Sequence, residues 1–117
     1  MLTARIESGD EYIRVNYFGD TVELFYGPFS EVVELMELDN HKILIDLDGL
    51  DYFTSAGMSA LLATDKVARK MHAKIAFLVS NHQTREILKR TGLETLLPCF
   101  LNEKEALEYL EVNSLVA

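Results

Sequence analysis

The chain has 117 residues, 49% of them apolar, which is enough for one domain with a hydrophobic core. Its formal net charge of −8 disfavours binding to nucleic acid or anionic lipid and favours partners with a basic surface. The single cysteine, Cys99, excludes an intramolecular disulfide, and no signal peptide or membrane-spanning stretch is evident. We therefore expect one cytoplasmic domain over residues 1–117, without direct membrane insertion.

The first half of the chain predicts strands at one edge of a sheet. Residues 3–8 are typical of a short strand, and residues 11–18 alternate in polarity as a half-buried strand does. Residues 19–20 are expected to form a turn, after which residues 21–26 return as a further strand. A short helix is expected over residues 28–38, with a proline near its first turn.

The second half alternates strands and helices, a pattern typical of an α/β domain with parallel pairing. Residues 42–47 form a continuous apolar run, as in a strand covered on both faces. Residues 56–72 predict a helix. Its inner face is expected to contain residues at helical spacing, namely Gly57, Ala60, Leu61, Thr64, Val67, Ala68 and Met71.

The remaining elements continue this alternation toward the end of the chain. Residues 74–79 predict a second buried strand, and a helix follows in which Ser80 and Gln83 have capping-box spacing and Gly92 is the C-cap. Residues 96–101 predict a short edge strand. A last helix begins at Asn102, which we expect to be its N-cap.

From Ile43 onward, "ILIDLDGLDYFTSAGMSALL" resembles the STAS family, the domains shared by sulfate transporters and anti-sigma factor antagonists. The matching pieces come in family order: a buried strand with an acidic end, a serine–glycine turn at residues 54–57, a helix, a strand, and a helix ending in glycine before a short strand. The resemblance covers residues 42–110. It implies a STAS-like α/β domain with a mixed four- to five-stranded sheet and about four helices.

Two features depart from the family pattern. The family usually carries Gly-x-Leu-Asp after its second strand, whereas only Val22 to Leu24 or the pair at residues 19–20 stand nearby here. Sigma-regulating members usually have Asp immediately before the serine, and Thr54 occupies that position.

Ser55 stands between a strand and a helix, at or next to the helix N-cap. One interpretation is structural, because a hydroxyl there accepts a hydrogen bond from an unpaired backbone N–H. The other is a phosphorylation switch, because a phosphoserine carries about −1.5 to −2 charges and meets the positive end of the helix dipole. The resemblance implies the second role. Thr54 could share either role, and both interpretations stay open at this point.

The resemblance also implies a function and a binding surface. The protein would be a non-enzymatic regulator similar to an anti-sigma factor antagonist: it binds a serine-kinase anti-sigma factor, phosphorylation at Ser55 ends the binding, and a phosphatase restores it. An apolar four-residue step off the inner face of the helix suggests a docking site beside Ser55. The expected partner-binding residues are Asp48, Asp51, Thr54, Ser55, Gly57, Met58 and Leu62.

Two other functions are the alternatives. The first is a STAS module that is never phosphorylated and serves as a subunit of a lipid-transport ABC complex or a signalling scaffold. The second is a small nucleotide-binding protein or enzyme, which no motif supports. The sequence predicts no oligomeric state.

Catalytic, cofactor-binding and metal-binding motifs are absent from the sequence. There is no Gly-rich phosphate loop, and Leu61 stands where a nucleophile elbow would have its second glycine. Asp46, Asp48 and Asp51 lack the spacing of a calcium loop, and we expect them to be solvated residues of a turn near the partner surface. Residues 84–97 faintly resemble a helix-turn-helix, which the acidic net charge opposes.

Overall fold

A computed structural model describes residues 2–9, 11–20, 32–35, 42–52 and 54–112 of the chain, without the side chains of Leu2, Asp20 and Tyr52. The strand expected at residues 21–26 and most of the helix expected at residues 28–38 lie outside the described residues. The described strands are β1 (Leu2–Ser8), β2 (Ile13–Asp20), β3 (Lys42–Tyr52), β4 (Lys74–Leu78) and β5 (Cys99–Phe100). The helices are α1 (residues 32–35), α2 (Ser55–Lys70), α3 (His82–Thr91), α4 (Leu93–Leu96) and α5 (Glu103–Tyr109).

The strands form one mixed sheet in the order β1-β2-β3-β4-β5. β1 and β2 are antiparallel, whereas β2, β3, β4 and β5 pair in parallel. The expected α/β class, the mixed sheet and the parallel pairing of the second half are confirmed. Since β3 and β4 run in parallel, their carboxyl ends lie at the same end of the sheet. α2 and α3 follow these two strands and both begin at that end.

β3 is longer than predicted, and β2 begins and ends two residues later than predicted. Gly19 pairs with Leu50 in the ladder between them, so the turn expected at residues 19–20 is wrong. The two strands stay paired across a register shift that lies beside Gly49. A Cβ on Gly49 would stand 2.6 Å from the carbonyl oxygen of Tyr17, so a glycine is required where the two backbones come this close.

Side chains from both faces of the sheet are buried. The larger core packs α1, α2, α3 and α4 against one face, where Ile45 of β3 and Phe77 of β4 are fully buried. A second core packs α5 against the other face, where Leu44 of β3 is fully buried. The central strands are thus covered on both faces, which explains their continuous apolar sequences.

The helix ends follow local sequence chemistry, with one correction. Asn102 caps α5 by accepting a hydrogen bond from the Glu105 backbone N–H at 2.9 Å, and Gly92 ends α3 with a left-handed φ of 80°; both predictions are confirmed. The N-cap of α3 is Asn81 and not Ser80, because the Asn81 side chain accepts from the two N–H groups that follow. α4 has only 4 residues, too short for a recognition helix.

Candidate functional site

The sequence left open whether Ser55 caps α2 or is a phosphorylation site, and the structure at the start of α2 separates these two roles. Thr54 is the N-cap: its backbone is extended, and its Oγ1 accepts a hydrogen bond from the Gly57 N–H at 3.0 Å. Ser55 is the first residue of the helix and is exposed. The interpretation of Ser55 as the cap is therefore wrong, since the neighbouring hydroxyl already fills that role. Within the described part of the chain, the Ser55 side chain has no hydrogen-bond partner.

Gly57 lies one turn into α2 and is buried. The positive-φ glycines of the described residues are Gly19 and Gly92, and Gly57 has the ordinary backbone of a helix. What Gly57 supplies is a small residue on the buried side of the helix and the N–H that Thr54 caps.

The electrostatics at this helix end suit added negative charge. The first turn of α2 contains no acidic residue, and its last turn contains Arg69 and Lys70. Within α2, the first turn supplies no carboxylate to the positive end of the helix dipole, while the basic residues complement its negative end. A phosphate group on Ser55 would lie where the backbone N–H groups are oriented to receive it.

The three aspartates that precede α2 are on a strand and not on a turn. Asp46, Asp48 and Asp51 all belong to β3, so the expectation of solvated turn residues is wrong. Asp46 accepts from Arg14 at 2.5 Å and from the backbone N–H of Asp48 at 2.9 Å. Arg14 also pairs with Glu103, and this cation thereby ties β2, β3 and α5 together.

Asp48 is half-buried and is bound within the fold. Its Oδ1 accepts from the backbone N–H groups of Ser80 at 2.7 Å and Asn81 at 2.9 Å, and its Oδ2 accepts from the Ser80 hydroxyl. The carboxylate thus fixes the segment that leads into α3 and is not a free group for a partner. Asp51 is exposed and remains available for contact.

The two predicted apolar anchors have different environments. Met58 is half-buried and packs against the larger core, so its expected place outside the core is wrong. Leu62 is 38% exposed, whereas its neighbour Leu61 is 1% exposed. Leu62 is therefore the one predicted anchor that α2 presents to solvent.

Ser55 and Leu62 lie on one exposed face of α2 that also contains Ser59 and Lys66. These residues are spaced by four, three and four positions, which places them along one side of a helix. We call this set, Ser55, Ser59, Leu62 and Lys66, the outer face of α2. Ser59 and Lys66 were not predicted from the sequence. The three- and four-residue spacing from Leu62 identifies them once Leu62 is known to be exposed.

Asp65 of α2 is buried, and its carboxylate lies 3.0 Å from the Arg69 guanidinium. Burial raises the pKa of Asp65, and the charge and hydrogen bond of Arg69 oppose that shift. Asp65 lies on the buried flank of α2, whereas Arg69 is exposed and follows Lys66 of the outer face by three positions.

The described residues contain neither a metal-binding cluster nor a membrane-spanning helix. No group of three or more His, Cys, Asp or Glu side chains there is arranged to hold a metal ion. None of the helices in that part of the chain combines the length and hydropathy that crossing a membrane requires.

The fold and this strand-to-helix geometry belong to a known class of domain. The sequence profile of the STAS domain matches residues 11–106, and the chain belongs to that family. BtrV of Bordetella bronchiseptica, named as an anti-sigma factor antagonist, is 25% identical over 77 residues. That match covers 66% of this chain and 66% of BtrV.

Solved structures agree with this fold. The crystal structure of an anti-sigma factor antagonist from Mycobacterium paratuberculosis has a TM-score of 0.81 at 19% identity, with 95% of each chain covered. The anti-sigma factor antagonist SpoIIAA in its unphosphorylated form gives 0.73 at 13% identity, over 93% of this chain and 96% of SpoIIAA. The phosphorylated form of SpoIIAA, the Bacillus cell fate determinant, gives 0.66 at 14% identity, over 91% and 97%. The chain is thus a STAS domain similar to anti-sigma factor antagonists.

Proposed function

We propose that this STAS domain is a non-enzymatic, cytoplasmic regulator that acts as an anti-sigma factor antagonist. Unmodified, it binds an anti-sigma factor that is also a serine kinase, and the sigma factor is released. Phosphorylation of Ser55 ends the binding, and a phosphatase restores it. The observation that carries this proposal is the exposed Ser55 hydroxyl at the first position of α2, beside a threonine that already caps the helix.

The phosphoryl transfer changes charge at a place the fold tolerates. The γ-phosphoryl group of ATP moves to Oγ of Ser55, the hydroxyl proton is released, and ADP leaves. The product carries about −1.5 to −2 charges at the positive end of a helix of 16 residues. The domain therefore stays folded in both states, and the difference between the states is at its surface.

The partner docks on the outer face of α2. Leu62 supplies an apolar anchor two turns from Ser55, and the exposed Asp51 is available to a basic group of the partner. A phosphate inside such a contact loses water and gains no positive charge from the partner, which costs binding free energy. Charge at Ser55 thus opposes the same contact that Leu62 stabilises.

The experiment that tests this proposal is phosphorylation in vitro followed by intact-mass measurement. Wild type, Ser55→Ala and Thr54→Val are incubated with ATP and each candidate serine kinase from the same genome. We expect wild type and Thr54→Val to gain the mass of one phosphoryl group and Ser55→Ala to gain none. If Ser55→Ala gains the mass of a phosphoryl group and Thr54→Val does not, the phosphorylated residue is Thr54. No gain with any kinase would contradict the switch and favour the unphosphorylated subunit of a transport or signalling complex.

A further inference from the structure

A cavity of about 330 Å³ lies between α3, α4 and β5, and no residue of α2 lines it. Its apolar wall is formed by Val79, Leu88, Phe100 and Leu101. Small-molecule sites range upward from about 300 Å³ and combine apolar walls with a few polar groups. The size of this cavity therefore suits a small ligand.

Cys99 forms part of the same wall. Burial raises the pKa of the Cys99 thiol to about 12, and the charges of Glu94 and Asp65 add to the effect. The thiol is therefore neutral and behaves as a small apolar group. The thiol thus adds no charge to the apolar wall of the cavity.

Charge in the cavity comes from one cation and one anion. Arg85 of α3 and Glu94 of α4 both line it, and both are exposed. Neither side chain forms an ion pair with another residue in the described ranges. Thr95 also lines the cavity, and because its hydroxyl donates to the Gly92 carbonyl at 2.7 Å, its oxygen can accept a hydrogen bond from a ligand.

We propose that this cavity binds a small zwitterion, an apolar α-amino acid or a similar ammonium carboxylate. A ligand with only a carboxylate would pair with Arg85 and be repelled by Glu94. A ligand with only an ammonium group would pair with Glu94 and be repelled by Arg85. A zwitterion pairs its carboxylate with Arg85 and its ammonium group with Glu94 and the Thr95 oxygen. Its apolar side chain then covers Leu88 and Phe100.

Three ligands that share a phenyl ring separate the contributions of the two charges. L-phenylalanine has both charges, 3-phenylpropionate has only the carboxylate, and 2-phenylethylamine has only the ammonium group. Each is titrated into the full chain labelled at its Val and Leu methyl groups, and NMR follows Val79, Leu88 and Leu101. We expect saturable shifts at these methyl groups, with L-phenylalanine binding about tenfold more tightly than either analogue.

Charge-neutral variants assign each contact. Arg85→Gln should weaken L-phenylalanine and 3-phenylpropionate about tenfold and tighten 2-phenylethylamine, because it removes the cation that repels the amine. Glu94→Gln should weaken L-phenylalanine and 2-phenylethylamine about tenfold and tighten 3-phenylpropionate. Arg90→Gln, an exposed cation of α3 that does not line the cavity, is the control for net charge and should change nothing.

Three results would overturn the proposal. One is the absence of saturable shifts at the cavity methyl groups with all three ligands. The second is 3-phenylpropionate binding as tightly as L-phenylalanine with no effect of Glu94→Gln, which would define a site for apolar acids. The third is an equal loss in Arg85→Gln and Arg90→Gln, which would reduce the effect to net charge. None of these results depends on phosphorylation or on the partner of α2.

Discussion

Thr54 Oγ1 and the Gly57 backbone nitrogen lie 3.0 Å apart, and the hydrogen bond between them caps α2. Removing the hydroxyl in Thr54→Val should therefore lower the free energy of unfolding by about 0.5–2 kcal/mol. Ser55→Ala removes a hydroxyl with no described partner and should change stability by less than about 0.5 kcal/mol. Urea denaturation of the two variants checks this. A larger loss in Ser55→Ala than in Thr54→Val would return the capping role to Ser55.

Negative charge at Ser55 should change binding and not folding. Ser55→Asp places a carboxylate at the positive end of the α2 dipole, so its free energy of unfolding should equal or exceed that of wild type by about 0.3–1 kcal/mol. Affinity for the partner should fall because the charge lies in the proposed contact. Thermal denaturation and titration calorimetry measure the two effects.

Gln83→Glu is the matched control for this charge. Gln83 is exposed in the first turn of α3, so the variant also adds a carboxylate at a helix N-terminus, but on a helix other than the one that contains the outer face. We expect it to bind the partner as wild type does. Equal loss of affinity in Ser55→Asp and Gln83→Glu would mean that net charge, and not position, controls binding.

The parts of the fold that were predictable from sequence depend on neighbours along the chain. Asn102 caps α5 because its side chain reaches an N–H three residues on, and Gly92 ends α3 because glycine adopts a positive φ at little cost. The continuous apolar strand from Lys42 is also visible locally, since a strand covered on both faces has no polar alternation. These features need no knowledge of distant residues.

The parts that were missed depend on residues far apart in sequence. β3 continues to Tyr52 because Gly49 lets β2 approach, and Asp48 is fixed by Ser80, 32 positions later. Met58 falls inside because it lies one turn before Leu61 and two before Asp65, both buried, so the buried stripe of α2 is wider than its apolar pattern indicates. No local pattern contains this information.

Asp48 and Asp51 should separate a structural role from a binding role. Asp48→Ala removes a carboxylate that accepts from Ser80 and Asn81, and should lower the free energy of unfolding by about 1.5–3 kcal/mol, the range for hydrogen bonds to charged groups. Asp51→Ala alters an exposed side chain, so its free energy of unfolding should stay within about 0.5 kcal/mol of wild type. Its affinity for the partner should be lower than that of wild type. Denaturant unfolding and calorimetry decide this, and equal stabilities of the two variants would contradict the assignment.

Asp65 should make stability fall as pH rises. Because burial raises the pKa of Asp65 above its ordinary value of 3.8, the folded state binds the proton more tightly than the unfolded state. The contribution of this group is most favourable below that value and is lost as pH rises through the raised folded pKa. Asp65→Asn removes the effect, so the variant should melt higher than wild type at pH 7, with the difference shrinking toward pH 4 in thermal scans.

The exposed Arg69 provides the control for this pH dependence, because it is the ion-pair partner of Asp65. Arg69→Gln should lower the melting temperature at pH 7 in the wild-type background and have little effect in the Asp65→Asn background. Melting temperatures of Asp65→Asn and wild type that stay equal across this pH range would mean that the carboxylate is not disfavoured by burial.

Leu61 and Leu62 are adjacent in sequence but differ in environment, and together they test the outer face of α2. Leu61→Glu places a carboxylate in the larger core and should unfold the domain, since a buried unpaired charge costs several kcal/mol. Leu62→Glu alters a side chain that is 38% exposed, so the domain should fold and melt within a few degrees of wild type. Leu62→Glu should nevertheless abolish binding of the partner, because it removes the apolar anchor of the proposed contact.

Circular dichroism and a binding assay with the cognate partner read out both variants. Lys66→Gln, one turn further along the outer face, lowers the net charge by one, as Leu62→Glu does, and is the matched control for charge. It should weaken binding less than Leu62→Glu, because Lys66 supplies no apolar anchor. If Leu62→Glu melts as low as Leu61→Glu, Leu62 belongs to the core and the outer face has no anchor. If it folds and binds as wild type does, the partner contacts another surface, and Ser55 phosphorylation would have to act without being part of the contact.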